Sequence, residues 1–227
     1  MAVWTIAAQE GTGGERIAAE LAASAGVPLL DRKTLALFAH ELEPDLGVEE
    51  FEEIEERFGG RLRAFALSMA MTSGPAAATA LEELRFRHKL PELGRSVVAE
   101  ASRQPCVILA PAAFAALGEH PGAIHVRLRA PLACRIAAYH RDHLVDRAHA
   151  EKAIKRDDHV KSAWVRSLYH ADLDDDRNFT LVVDASRFSP ERLVELLLAA
   201  GGVAPSLGCD VGGGEAAVHE ERRAGHV

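Results

Sequence analysis

Short runs rich in β-formers alternate along the chain with long stretches of helical spacing. Val3-Trp4-Thr5-Ile6-Ala7-Ala8 is the first such run, and it stops near a glycine cluster, Gly11-Thr12-Gly13-Gly14. Ile17, Leu21 and the alanines around them then carry a helical period, which Ala25-Gly26 ends. Pro28-Leu29-Leu30-Asp31 reads as a second short strand. Strand, glycine turn, helix and strand in that order make the unit of a parallel sheet.

A helical pattern runs from about Arg32 to Arg103, broken at Gly59-Gly60 and Ser73-Gly74-Pro75. Within it, residues 49–58 set apolar positions on an acidic background, as a solvated helix face does. Cys106-Val107-Ile108-Leu109-Ala110 is a continuous apolar run, the pattern of a strand buried on both faces. Ile124 to Ala130 reads as the next strand, with Pro131 as the first residue of the helix after it. The chain from Arg135 to Arg166 reads as helical and is rich in His, Arg, Lys and Asp.

Phe179 to Asp184 is the last predicted strand. Ser189-Pro190-Glu191 opens the last helix with a capping serine and a first-turn proline, and Ala200-Gly201-Gly202 closes it. Past Pro205 the residues are Gly-rich and charged without apolar period, which predicts a disordered tail over 205–227. The expectation is one α/β domain over 1–204, a parallel sheet of about five strands flanked by helices. A helical insertion over 32–103 and lid-like helices over 135–170 complete it.

Composition narrows the function class. The 227 residues suit one large domain able to bury its own core, and 48% hydrophobic with 26% charged residues is globular. A formal charge of −8 argues against binding nucleic acid through a general basic footprint. Cys106, Cys134 and Cys209 make an odd count without metal-type spacing, so reduced thiols are expected rather than a disulfide framework. No apolar run approaches the ~20 residues of a membrane helix. The N-terminus enters a strand pattern with no basic leader, and a cytoplasmic protein is expected. His219 and His226 in the tail read as incidental.

The glycine turn is the strongest chemical feature. Backbone N–H groups converge at such a turn and the helix N-terminus adds partial positive charge, so it suits a phosphate. Two motifs compete for it. The dinucleotide fingerprint is met by Gly11 and Gly13, with Asp31 about twenty residues on, but Arg16 stands at the third glycine. The phosphate loop G-x-x-x-x-G-K-[ST] is met at Gly13, with Ala8 at its first glycine, Gly14 at the Lys and Glu15 at the Ser/Thr that would hold Mg²⁺.

Taken in order, the layout resembles the cytidylate-kinase-like family, relatives of the nucleoside-monophosphate kinases with a P-loop NTPase fold. The matching segments are Gly11-Thr12-Gly13-Gly14-Glu15-Arg16-Ile17, Leu30-Asp31-Arg32, Ala130-Pro131-Leu132-Ala133-Cys134-Arg135-Ile136, Ile154-Lys155 with Asp158, and Val183-Asp184. They span roughly residues 3 to 200. Gly-Gly in place of Gly-Lys is a trait of the family. This chain departs from it at Ala7-Ala8, where the family commonly has Ser-Arg, and at Ala110-Pro111, where it usually has Gly-Arg. Lys161 stands where the lid commonly carries Arg, and Glu15-Arg16 reverses the usual order.

The resemblance implies ATP and Mg²⁺ as cofactors and a small nucleotide, CMP or dCMP first, as acceptor. Gly11, Thr12, Gly13 and Gly14 are then the cradle for the donor phosphates. Asp31 and Arg32 lie near the acceptor, although Asp31 reads equally as a helix cap. Arg16, Arg135 and Lys161 supply catalytic charge, with Lys155, Arg156 and Arg166 on the same lid. His140 and His143 read as surface residues. Phosphoryl transfer depends on positive charge around the moving group. The lost arginines therefore leave two outcomes, an active kinase or a catalytically impaired nucleotide-binding or scaffold protein. A dinucleotide-dependent enzyme is a third. The metal ligand is unassigned beyond Glu15. The alanine-rich helices from Glu52 to Arg103 offer surface for a homodimer, and neither nucleic acid nor membrane is an expected partner.

Overall fold

The structure, a computed structural model, describes residues 2–31, 33–35 and 91–202. Arg32, most of the expected insertion, the expected tail and Cys209 lie outside the described residues. The sheet has five strands in the order β2-β3-β1-β4-β5, all parallel. The strands are β1 (Val3–Ala8), β2 (Leu29–Leu30), β3 (Cys106–Leu109), β4 (Ala123–Arg129) and β5 (Leu181–Asp184). The helices are α1 (Gly14–Ala25), α2 (91–101), α3 (Ala113–Leu117), α4 (Leu132–His143), α5 (Arg147–Tyr169) and α6 (Pro190–Ala200).

β1 sits at the centre because almost every side chain on it suits burial, whichever face it meets. Trp4 and Ile6 join Ile17 and Leu21 of α1, Val126 and Leu128 of β4, and Leu193 and Leu197 of α6. Val3 turns to the other face, against Val97, Val98 and Ile108. Ala7, also on that face, packs with Phe114, Trp164, Val165 and Phe179. The period-two alternation of a strand thus serves two helical layers. The indole Nε1 of Trp4 donates to the carbonyl of Leu197 at 2.9 Å and fixes α6 to the central strand. A Cβ at Gly201 would lie 2.2 Å from the Trp4 ring, so the end of α6 rests directly on the indole.

Several expected boundaries hold. Gly26 caps α1 with its N–H on Ala22 and Ala23, and the Ser189 hydroxyl accepts from the Arg192 N–H with Pro190 at the first position of α6. The helical stretch from Arg135 to Arg166 is divided between α4 and α5. Leu144 turns left-handed with φ 55, and Asp146 caps a new helix by accepting from the His149 N–H at 2.8 Å. Pro131 stands before α4 rather than inside it, with an extended ψ of 138. The short helix α3 after β3 has no counterpart in the sequence reading.

The one buried hydroxyl of β1 finds a histidine. Thr5 Oγ1 lies 2.7 Å from His125 Nδ1, and His125 Nε2 lies 3.0 Å from the carbonyl of Gly118. A carbonyl only accepts, so Nε2 carries the proton and Nδ1 accepts from Thr5. Burial pushes the His125 pKa below its usual value, against the Gly118 hydrogen bond. The unfolded chain therefore binds this proton more readily than the native one. The neutral form's contribution is complete above about pH 6.5 and declines as pH falls through that value. Thermal unfolding at pH 7.5 and pH 5.5 should show a smaller acid-induced drop in Tm for His125→Gln than for the native chain. Equal drops would remove His125 as the cause.

Candidate functional site

The site begins where β1 hands over to α1. Gln9 anchors the loop, its N–H donating to Leu128 O at 3.0 Å and its Oε1 accepting from the Ala130 N–H at 3.2 Å. The Thr12 N–H and hydroxyl both turn inward to Gln9 O, at 3.2 and 2.6 Å. Gly11 and Gly13 take φ of 81 and 75, where a side chain is strained. No side chain caps α1, so its first-turn N–H groups have no side-chain acceptor, although Glu15 in that turn lies at the positive end of the dipole.

The crowding around the glycines explains their order. A Cβ at Gly14 would lie 2.3 Å from the Ala8 methyl, and one at Gly11 would lie 2.7 Å from the carbonyl of Arg135. Ala8 occupies the first glycine position of the phosphate loop and takes the room that a side chain at 14 would need. Glycine in the Lys position is thus the steric partner of alanine in the Gly position. Gly13 meets nothing within 4 Å.

Two cations from the lid helices reach this loop. Arg135 of α4 is buried, with Nε donating to Ala130 O at 3.2 Å and Nη1 to both oxygens of Asp158 on α5, at 3.0 and 2.9 Å. The same Nη1 lies 3.5 Å from Glu10 O. Lys161 of α5 pairs with Asp157 at 2.8 Å and sits 3.8 Å from the Glu10 carboxylate. Loop, α4 and α5 are thereby tied through Arg135, Asp158, Lys161, Asp157 and Glu10.

The other expected residues lie elsewhere. Arg16 is 65% exposed and pairs along α1 with Glu20 at 3.9 Å, rather than with any loop or lid residue. Asp31 accepts from the Thr34 N–H at 2.9 Å and from its hydroxyl at 2.8 Å, so it caps the turn over 33–35. That backbone bond is the main cause of its lowered pKa. Arg32 lies outside the described residues. Lys155 pairs with Glu151 and Arg166 with Asp172, both in solvent, and Arg156 is exposed. His140 donates to Val145 O, and His143 stacks on Tyr139. Burial pushes the Cys106 thiol up to about 11. No group of three metal-type ligands forms among the described residues.

Sequence reasoning passed over Arg127 and Arg129 of β4. They alternate with Val126 and Leu128, which lie in the α1–α6 core, so both face α5. The signal was present, as two arginines at alternate positions near the carboxyl end of an apolar strand. Arg127 Nη1 donates to Ala7 O at 3.3 Å, and Arg129 Nη2 donates to Asp174 O at 3.3 Å.

A parallel sheet of this order, with a glycine loop after its central strand and helices closing over that loop, is the P-loop kinase fold. The chain belongs to the cytidylate kinase-like family, whose model matches residues 3–187, from β1 through the turn after β5. A crystal structure of an uncharacterized protein from Eubacterium ventriosum superposes with a TM-score of 0.60 at 15% identity, covering 88% of this chain and 98% of that one. Weaker likenesses include TT1252 from Thermus thermophilus, with TM-score 0.45, 25% identity, and 88% and 95% coverage. Shikimate kinase from Bacteroides thetaiotaomicron gives TM-score 0.43, 12% identity, and 89% and 99% coverage. None of the curated proteins matches. Among the described residues no helix is long and apolar enough to cross a membrane.

Because Arg135 is buried, removing its partner strands a charge. Asp158→Asn should lower unfolding stability by about 2–3 kcal/mol, the low side of a buried pair's cost because the Asp158 side chain is 31% exposed. Urea denaturation measures it. A loss under about 0.5 kcal/mol would mean that the pair behaves as a surface salt bridge.

Proposed function

We propose that this chain is an ATP-dependent kinase that phosphorylates a small acceptor, with CMP or dCMP as first choice. The observation that carries it is the uncapped start of α1 at Gly13-Gly14, lying beneath two lid cations at the head of the central strand.

The phosphate donor fits this loop on a specific ground. Gly13 is exposed and meets nothing within 4 Å, so the backbone at the loop mouth is open to approach there. Glu15, in the first turn of α1, would be the carboxylate to meet a Mg²⁺ carried on the nucleotide's phosphates. Mg²⁺-ATP supplies the phosphoryl group and partly neutralises its charge.

The protein's own residues then do three things. The first-turn amides bind the donor phosphates. Lys161 exchanges its Glu10 and Asp157 partners for phosphate oxygens. Arg135, held by Asp158 and Ala130, keeps the lid in register with the loop. The acceptor lies at the carboxyl ends of the strands, where ligands sit in parallel α/β sheets.

A second proposal is a nucleotide-binding or scaffold protein without turnover. It is favoured by the engagement of both lid cations with carboxylates and of Arg16 with Glu20.

ADP formation from Mg²⁺-ATP with CMP, dCMP, UMP, AMP and GMP in turn separates the two. Turnover with one pyrimidine acceptor is expected, falling on the order of a hundredfold or more in Gly13→Asp. That variant places a carboxylate in open space at the loop mouth. No ADP with any acceptor would leave the binding protein, and the shift of Tm by ATP would then define it.

A further inference from the structure

Arg127 is 4% exposed. Its Nη1 has one long bond to Ala7 O, at 3.3 Å, and its Nη2 lies 3.7 Å from Asp174, beyond hydrogen-bonding distance. Its Nε is buried and has no partner. Arg129, two residues on and on the same face, is partly exposed and better bonded, but it shares one feature. Its Nη2 bonds Asp174 O and Asp176 Oδ1, while its Nε is buried and unpartnered.

Burial lowers the pKa of Arg127, Asp174 counters it, and the neighbouring Arg129 adds to the lowering. A guanidinium has five donors and no way to shed its charge at neutral pH. Leaving such donors buried without acceptors is costly. Two on one strand, about 6.6 Å apart at Cα by strand rise, call for an acceptor with several oxygens.

The surroundings fit a ligand more than a structural partner. Arg127 stands opposite Ala7, one residue before the end of β1, on a face walled by Phe114, Trp164 and Phe179. Asp174 and Asp176 belong to the segment between α5 and β5, and their side chains are mostly exposed. The arginines therefore lie at the same end of the sheet as the glycine loop, under the same helix α5 that carries Lys161.

We propose that Arg127 and Arg129 form an oxyanion-binding subsite at the carboxyl end of β4, taking the phosphate or carboxylate of a small acceptor. That the oxyanion belongs to the acceptor rests on the kinase proposal above. That an oxyanion binds there does not. Two guanidinium groups on one face of β4 suit a group with several oxygens, and the burial of Arg127 would keep water from that contact.

The arginine Nε–H signals of the full chain report on it directly. Proton–nitrogen spectra are recorded while inorganic phosphate and, separately, acetate are added, with sodium chloride at equal ionic strength as reference. Arg127→Lys and Arg129→Lys assign the two signals. Both should move together and saturate with at least one oxyanion and not with chloride. Which oxyanion moves them names the group recognised.

Arg127→Lys should weaken the response at least about tenfold, the cost of one charge-assisted bond. Should that variant fail to fold, Arg129→Gln, at the more exposed position, should weaken it similarly. Gly13→Asp should leave the response intact. Signals that neither oxyanion moves, or a response that Gly13→Asp abolishes, would overturn the subsite, the latter by placing the ion in the glycine loop. An intact response in a chain that forms no ADP would keep the subsite and remove only the kinase proposal.

Discussion

The space between Ala8 and Gly14 is the constraint on which the site depends. β1 runs buried through Ala7 to hold the sheet together, and α1 must start soon after to aim its amides at the loop. With a methyl at 8, only glycine fits at 14. The chain thereby gives up the lysine that ordinarily stands in a phosphate loop and keeps the open backbone. Positive charge has to arrive from another element, and α4 and α5 bring it in the form of Arg135 and Lys161. In the kinase proposed above, α4 and α5 would supply the charge of the phosphate site as well as its cover.

That charge is stored in pairs. Arg135 rests on Asp158, and Lys161 on Asp157 and Glu10. Glu10 lies in the loop itself, so its ion pair with Lys161 joins α5 to the loop. Desolvating an ion pair costs energy that only good geometry recovers. Arg135, with both Asp158 oxygens in reach, meets that condition better than Lys161, 3.8 Å from Glu10. Arg135 is therefore the more firmly held of the two cations.

Much of the fold was legible because local signals and burial agreed. Each of the five strands coincides with an apolar run, Gly26 and Ser189 act as the caps their residue types suggest, and the glycine cluster lies where strand meets helix. What escaped was set by contacts far apart in sequence. The break at Leu144 carries no glycine or proline, and only the Asp146 cap marks the new start. The burial of Arg127 depends on elements far along the chain from β4. Arg16 follows from helix phase alone, one position before buried Ile17 and so directed to solvent. Asp31 had both a binding and a capping reading, and the cap is what its hydrogen bonds to Thr34 make.

The Trp4–Leu197 hydrogen bond and the seating of Gly201 on the indole have a topological consequence. α6 starts beside the carboxyl end of β5 and runs back along the sheet, finishing beside the second residue of β1. Gly202 therefore lies at the floor of the sheet, with the full length of the central strand between it and the loop mouth. Tethering the protein to a surface through that end would leave the loop and lid facing outward, whereas a tether on α4 or α5 would obstruct them.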